Sequence, residues 1–153
     1  MGTLRVAWGA VLVVACASAP PEGPQVHLGS DFDALRVDAA RALSARDHAK
    51  AVELYGLLAR EDPIDPNVHL ALGYACIRLD RWQEAEAAFR DAHFLRPGSG
   101  EALLGLGISL HGQGRSEEAE EVLQAGLETL PPGPERDSWR ALVEARLPGI
   151  DLP

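Results

Sequence analysis

Few side chains in this chain are placed to do chemistry, and their spacing points away from catalysis. Gly105-Leu106-Gly107 supplies two glycines of a dinucleotide-binding loop. The third glycine of that loop is missing, and the pair falls inside an apolar-periodic segment where small residues serve close packing. The five histidines, His27, His48, His69, His93 and His111, fall in different predicted elements. A zinc pair needs two histidines on one helix face, and none has that spacing. There is no Gly-x-Ser-x-Gly elbow and no Gly-Lys-Ser/Thr phosphate loop. Ser116-Glu-Glu-Ala-Glu-Glu121 collects carboxylates at a helix start, where they complement the helix dipole. The expectation is a protein without catalytic residues, bound metal or cofactor: a non-enzyme.

The elements that carry these residues are helices. The 153 residues suit one domain. Lys+Arg number 14 against 23 Asp+Glu, a net charge of −9. That balance argues against a nucleic-acid footprint, and no Lys/Arg cluster forms a membrane-surface patch. Aromatics are 5% while Ala and Leu are abundant, a mixture that lets helices approach closely. No long alternating Val/Ile/Thr pattern follows residue 30, so strands are not expected.

The first residues have the order of an export signal. Arg5 precedes an apolar run from Ala7 to Ala15, shorter than the ~20 residues of a membrane-spanning helix but of signal-core length. Val13-Val14-Ala15-Cys16 resembles a bacterial lipobox, in which the cysteine becomes the lipidated first residue. Val13 and Val14 depart from the more usual Leu and Ala or Ser. The resemblance implies a signal peptide over residues 1–15 and lipid on Cys16. Cleavage after Ala17 or Ala19, releasing a soluble periplasmic or secreted protein, is the alternative. Removal of residues 1–15 leaves 13 bases against 23 acids, a charge of −10, with Cys76 as the remaining thiol and no internal disulfide. Residues 16–31, rich in Pro and Gly at their start, read as a flexible tether.

From residue 32 the chain repeats. Pro63, Pro97 and Pro131 stand 34 residues apart, as do Ala51, Ala85 and Ala119, and Tyr55, Phe89 and Leu123. Leu72-Gly73 matches Leu106-Gly107, and Leu35, His69 and Leu103 share a register. The units are 32–65, 66–99 and 100–133. In the second, Asp65 caps a helix with Pro66 at its first position. Leu79-Asp80-Arg81 turns the chain, with Asp80 and Gln83 as a capping pair for the next helix, and Arg96-Pro97-Gly98 stops it. Leu-Gly early, Ala in the middle, then a large apolar residue and Pro at the end resembles the tetratricopeptide-repeat (TPR) family. The first unit is weaker, with Asp38-Ala39 in place of Leu-Gly.

The resemblance implies an all-α fold: an α-solenoid of three tandem helical hairpins, with Tyr55, Phe89 and Leu123 wedged between hairpins. Residues 134–147 read as a capping helix whose Trp139, Leu142, Val143 and Leu147 cover the open end, followed by a loose tail over 148–153. In this family the first helix of each hairpin lines a concave groove that binds peptides or helices. Carried across position by position, that implies Arg36, Ala40 and Leu43, then Leu70, Tyr74, Ile77 and Arg78, then Leu104, Ile108 and His111. The family's clamp for a terminal carboxylate is not matched: Ala40 and Ala71 stand at its Asn positions and Glu101 at a cation position. The implied partner is a peptide or helical segment of another protein with apolar anchors, with self-association also open. The implied role is an adaptor in the bacterial cell envelope, anchored through Cys16, in the assembly of pilus, secretion or outer-membrane machinery. Ala17 after the cysteine implies the outer membrane, facing the periplasm. A three-hairpin secretion chaperone is the alternative.

Overall fold

The computed structural model describes residues 28–150, which form seven α-helices and no strand among the described residues. Residues 1–27 and 151–153, and with them the expected signal segment, Cys16 and most of the expected tether, lie outside the described residues. Helices α1 (Leu28–Ser44) and α2 (His48–Glu61) make the first hairpin. Helices α3 (Pro66–Ile77) and α4 (Trp82–Leu95) make the second, α5 (Gly100–Gly112) and α6 (Ser116–Thr129) the third. Helix α7 (Pro134–Arg146) follows. Residues 28–31, expected in the tether, are instead the first turn of α1, where Asp31 complements the helix dipole. At the other end, Ile150 packs against the core and its N–H donates to the Leu147 carbonyl at 3.3 Å, so the expected loose tail is held that far.

The turn inside each hairpin is the same device used three times. Arg46, Asp80 and Gly114, spaced by 34, adopt left-handed φ of 59°, 56° and 79°. The following N–H then reaches back five residues: Asp47 to the Ala42 carbonyl at 2.9 Å, Arg81 to Cys76 and Arg115 to Leu110 at 3.0 Å each. These bonds satisfy carbonyls that a helix end leaves free. Asp80 therefore closes α3 instead of capping α4, whose N-cap is Arg81 and has no side-chain bond. Between hairpins, Asp65 and Ser99 cap α3 and α5 with side-chain oxygens that accept from the Asn67 and Ala102 N–H groups.

Phe89 is the wedge between the second and third hairpins. It is fully buried. Its ring lies over Gly73 of α3, where a Cβ would stand 2.7 Å away, and nearer still to Gly105 of α5. Tyr74 meets the ring edge-on, centroids 5.1 Å apart and planes at 76°. Leu123 fills the corresponding place in the third hairpin against Gly107. Each described helix packs mainly on its neighbours in the chain, with α3 against α5 as the main further contact.

A charged stitch joins the same two hairpins. The Glu86 carboxylate of α4 is nearly buried. It accepts from Gln113 Nε2 at 2.6 Å and Arg115 Nη1 at 2.9 Å, and pairs with Arg90 at 2.5 Å. Burial pushes its pKa up, but the bonds from Gln113 and Arg115 and the charges of Arg90 and Arg115 outweigh it and hold the carboxyl below its ordinary value. A carboxyl depressed on folding contributes stability above its unfolded pKa of about 4.3 and loses it as pH falls through the folded value. Glu86→Gln is expected to cost about 1–2 kcal/mol at pH 7. Denaturant titrations should show the gap to the parent closing as the pH falls below the ordinary carboxyl range. A gap independent of pH would mean that the charge contributes nothing.

Candidate functional site

The 34-residue step continues past the third hairpin. It puts Tyr74 on α3, Ile108 on α5 and Leu142 on α7 at one register position, and all three line a single cleft of about 260 Å³. Helix α3 adds Ile77 and Arg78 to its walls. Helix α7 adds Trp139, Val143 and Arg146, with Leu147 just beyond. Helix α7 is thus placed as the first helix of a fourth unit, packed on α6 and sharing the cleft with Ile108 of α5. Val143 and Leu147 are buried, as a cap requires. Leu142, expected to cover the open end, is 41% exposed and forms cleft wall instead.

The polar groups of the cleft have distinct positions. Tyr74 is half-buried, and its hydroxyl donates to Glu101 Oε1 at 3.0 Å. Burial, then the Glu101 charge and that bond, push the phenol far above its ordinary range, so it stays a donor at all ordinary pH. The phenol ties α3 to α5 and leaves its ring as cleft wall. Arg78, the C-cap of α3, and Arg146, the last residue of α7, are exposed and form no ion pair with any described residue.

The other groove residues expected from sequence lie elsewhere. Leu70 is 6% and Leu104 0% exposed: both are core and cannot meet a partner. Leu104 packs on Gly126 of α6, so its face of α5 is turned into the hairpin. Arg36 is not free for a ligand, because it donates to Asp62 and Asp65, each at 2.8 Å, and clamps α1 to the turn between α2 and α3. His111 sits outside the cleft at the hairpin turn, its Nδ1 3.4 Å from Ser116 Oγ. Ala40 is exposed, while Leu43 packs against the core. Tyr74, Ile77, Arg78 and Ile108 are brought together. Sequence reasoning assigned Trp139, Leu142, Val143 and Leu147 only to a cap and left Arg146 out. The signal that would have found the wall was Leu142, one further step of 34 from Ile108.

This arrangement can bind. The walls are apolar, and the charged groups are two guanidinium heads, which cannot lose their protons. Cys76 is buried with its thiol pushed up by burial, and is a packing group, not a nucleophile. Among the described residues no three His, Cys, Asp or Glu are grouped to hold a metal, and no helix is long and apolar enough to cross a membrane.

Comparison with known proteins adds the following. A family model described as tetratricopeptide repeat matches residues 42–92 and 80–143. The small glutamine-rich tetratricopeptide repeat-containing protein 2 of Mycosarcoma maydis is 30% identical over 97 residues, 63% of this chain and 28% of that protein. A solved structure titled MamA AMB-1 is similar with a TM-score of 0.63 at 28% identity, over 67% of this chain and 60% of that one. The Yersinia enterocolitica type III secretion translocator chaperone SycD, in an alternative dimer, has a TM-score of 0.70 at 18% identity, over 79% of this chain and 92% of that one. At that identity the likeness is one of fold alone. The chain spans under a third of the curated relative and 60% of the MamA chain.

Proposed function

The chain belongs to the tetratricopeptide-repeat family, and from that premise we propose that it is a protein-binding adaptor whose cleft between α3, α5 and α7 receives a segment of a partner protein. One observation carries the reading. Ile108 and Leu142 present apolar surface in a concavity on the inner helices, although the core is already filled by other side chains. Apolar surface gathered in a concavity and left to water is the mark of a binding groove. The test is capture from native membranes by the parent and by an Ile108→Arg, Leu142→Arg variant. Tyr74 is left intact because it packs on Phe89 and bonds Glu101. The variant is expected to keep its helical content and to lose the captured protein about tenfold or more. Equal capture by both would move the interface to another face.

The location we propose is the bacterial cell envelope, in assembly of a pilus, secretion or outer-membrane complex. Arg5, the apolar run from Ala7 to Ala15 and Val13-Val14-Ala15-Cys16 support an exported, lipid-anchored chain. Cys16→Ser is expected to shift the protein from the membrane to the soluble fraction, and unchanged fractionation would contradict the anchor. A second reading, a secretion chaperone, draws support from a fold shared with SycD over 92% of that chain. Intact residues 1–15 on a soluble cytoplasmic protein, read by mass spectrometry, would favour it.

A further inference from the structure

We propose that the cleft selects an acidic segment: one bulky apolar side chain of the partner enters between Tyr74, Ile108 and Leu142, and an adjacent Asp or Glu is held by Arg78 and Arg146. The inference rests on the reading of this cleft as the binding site and adds the chemistry of its occupant.

Charge carries it. The chain has 23 acids against 14 Lys and Arg. The other described clefts follow that balance and carry acids beside their arginines, although Arg60 in one of them forms no ion pair with a described residue. Arg36 is lined up with Asp62, Arg115 with Glu118, and Arg81 with Glu84. The α3/α5/α7 cleft alone among them is lined by two arginines and no carboxylate, and neither arginine is paired within the described residues. A cation at a helix C-terminus is favourable in itself, which accounts for an arginine at the end of α3 or of α7. It does not account for both opening into one apolar concavity. They occupy one register position two steps apart, and the position between them, Gly112 on α5, lies against the Trp82 ring of α4 and brings no charge into the cleft. Two guanidinium groups beside an apolar wall present a set of fixed donors that matches a carboxylate.

Size and polarity narrow the occupant further. The cleft of about 260 Å³ between Tyr74, Ile108 and Leu142 has room for one bulky apolar side chain. On α5 the one acid near these walls is Glu101, in the first turn of that helix and engaged by the Tyr74 hydroxyl. Arg78 and Arg146 instead close the C-terminal ends of α3 and α7. The groove therefore has an acidic and a basic end, and the occupant's carboxylate belongs at the basic one.

The test is an array of acetylated, amidated octapeptides with Leu, Ile, Phe or Trp at one position and Asp, Glu, Asn or Gln beside it, probed with the full chain. Peptides with Asp or Glu are expected to retain about tenfold more protein than their Asn or Gln counterparts. Arg78→Gln, Arg146→Gln should erase that preference with an unchanged melting temperature, since both side chains are exposed and form no ion pair with a described residue. The chain's overall negative charge disfavours acidic peptides in general, so such a preference would have to arise locally. Loss of binding with Ile108→Arg, but equal binding of acid and amide peptides, would keep the groove and overturn the acidic reading. Retention by Ile108→Arg would overturn both. Binding only to a second array, of the same peptides with free C-termini, would replace the side-chain carboxylate with a terminal one, and two blank arrays would overturn the proposal.

Discussion

Phe89→Ala is expected to lower the free energy of unfolding by about 3–5 kcal/mol, a large part of the roughly 5–15 kcal/mol that holds a domain of this size. The ring is fully buried and rests on Gly73 and Gly105. Neither glycine has a side chain that could relax into the space, so the cavity stays open and the cost belongs at the upper end. The ring is also shared by two hairpins, and its loss uncouples them. In a stack, where stability is a sum of unit and interface terms, that lowers cooperativity as well as stability. Denaturant unfolding followed by circular dichroism should show an earlier midpoint and a shallower slope. A loss under about 1.5 kcal/mol with an unchanged slope would mean that other contacts hold the hairpins together.

Gly107→Val is the second large effect, about 3 kcal/mol. A Cβ on Gly107 would stand 2.5 Å from Leu123 Cγ and 3.2 Å from the Ala119 carbonyl oxygen. Leu123 is fully buried and has no space to swing into, and the carbonyl belongs to the α6 backbone. The two helices must therefore part. Valine regains only part of the roughly 1 kcal/mol that mid-helix glycine costs relative to alanine. Gly56→Ala is the control. Gly56 is also inside a helix, but a Cβ there meets nothing within 4 Å, so the change should stabilise by about 1 kcal/mol. If both substitutions shift the midpoint the same way, propensity and not close approach governs these glycines.

The period was enough to locate the hairpins. Pro66, Gly100 and Pro134 begin helices at 34-residue intervals, where the units and the final helix were expected to start. Periodicity also marked Phe89 as a wedge, because a large residue opposite two glycines has one way to pack. Which side of an inner helix stays open was less legible. Leu70 and Leu104 are as apolar as Ile108, but they point into their own stack, and composition does not distinguish the two sides. Arg36 looked free because Asp62 and Asp65 lie 26 and 29 residues away and meet it only after folding. Helix α7 looked like a lid because its polar residues suggested an end, while its register made it a further wall.

The neighbour-to-neighbour packing of the helices has a mechanical consequence. Among the described residues no extensive helix contact fastens the first hairpin to the last. A pull on the α1 end is therefore resisted first by α1 against α2 and by the two ion pairs of Arg36 to Asp62 and Asp65. Once these give way, the load passes to the next hairpin in line. Each step releases 34 residues, on the order of 100 Å of chain. Under tension such a stack yields by instalments, like a ratchet strap let out notch by notch, and the hairpins not yet reached stay folded around whatever they hold.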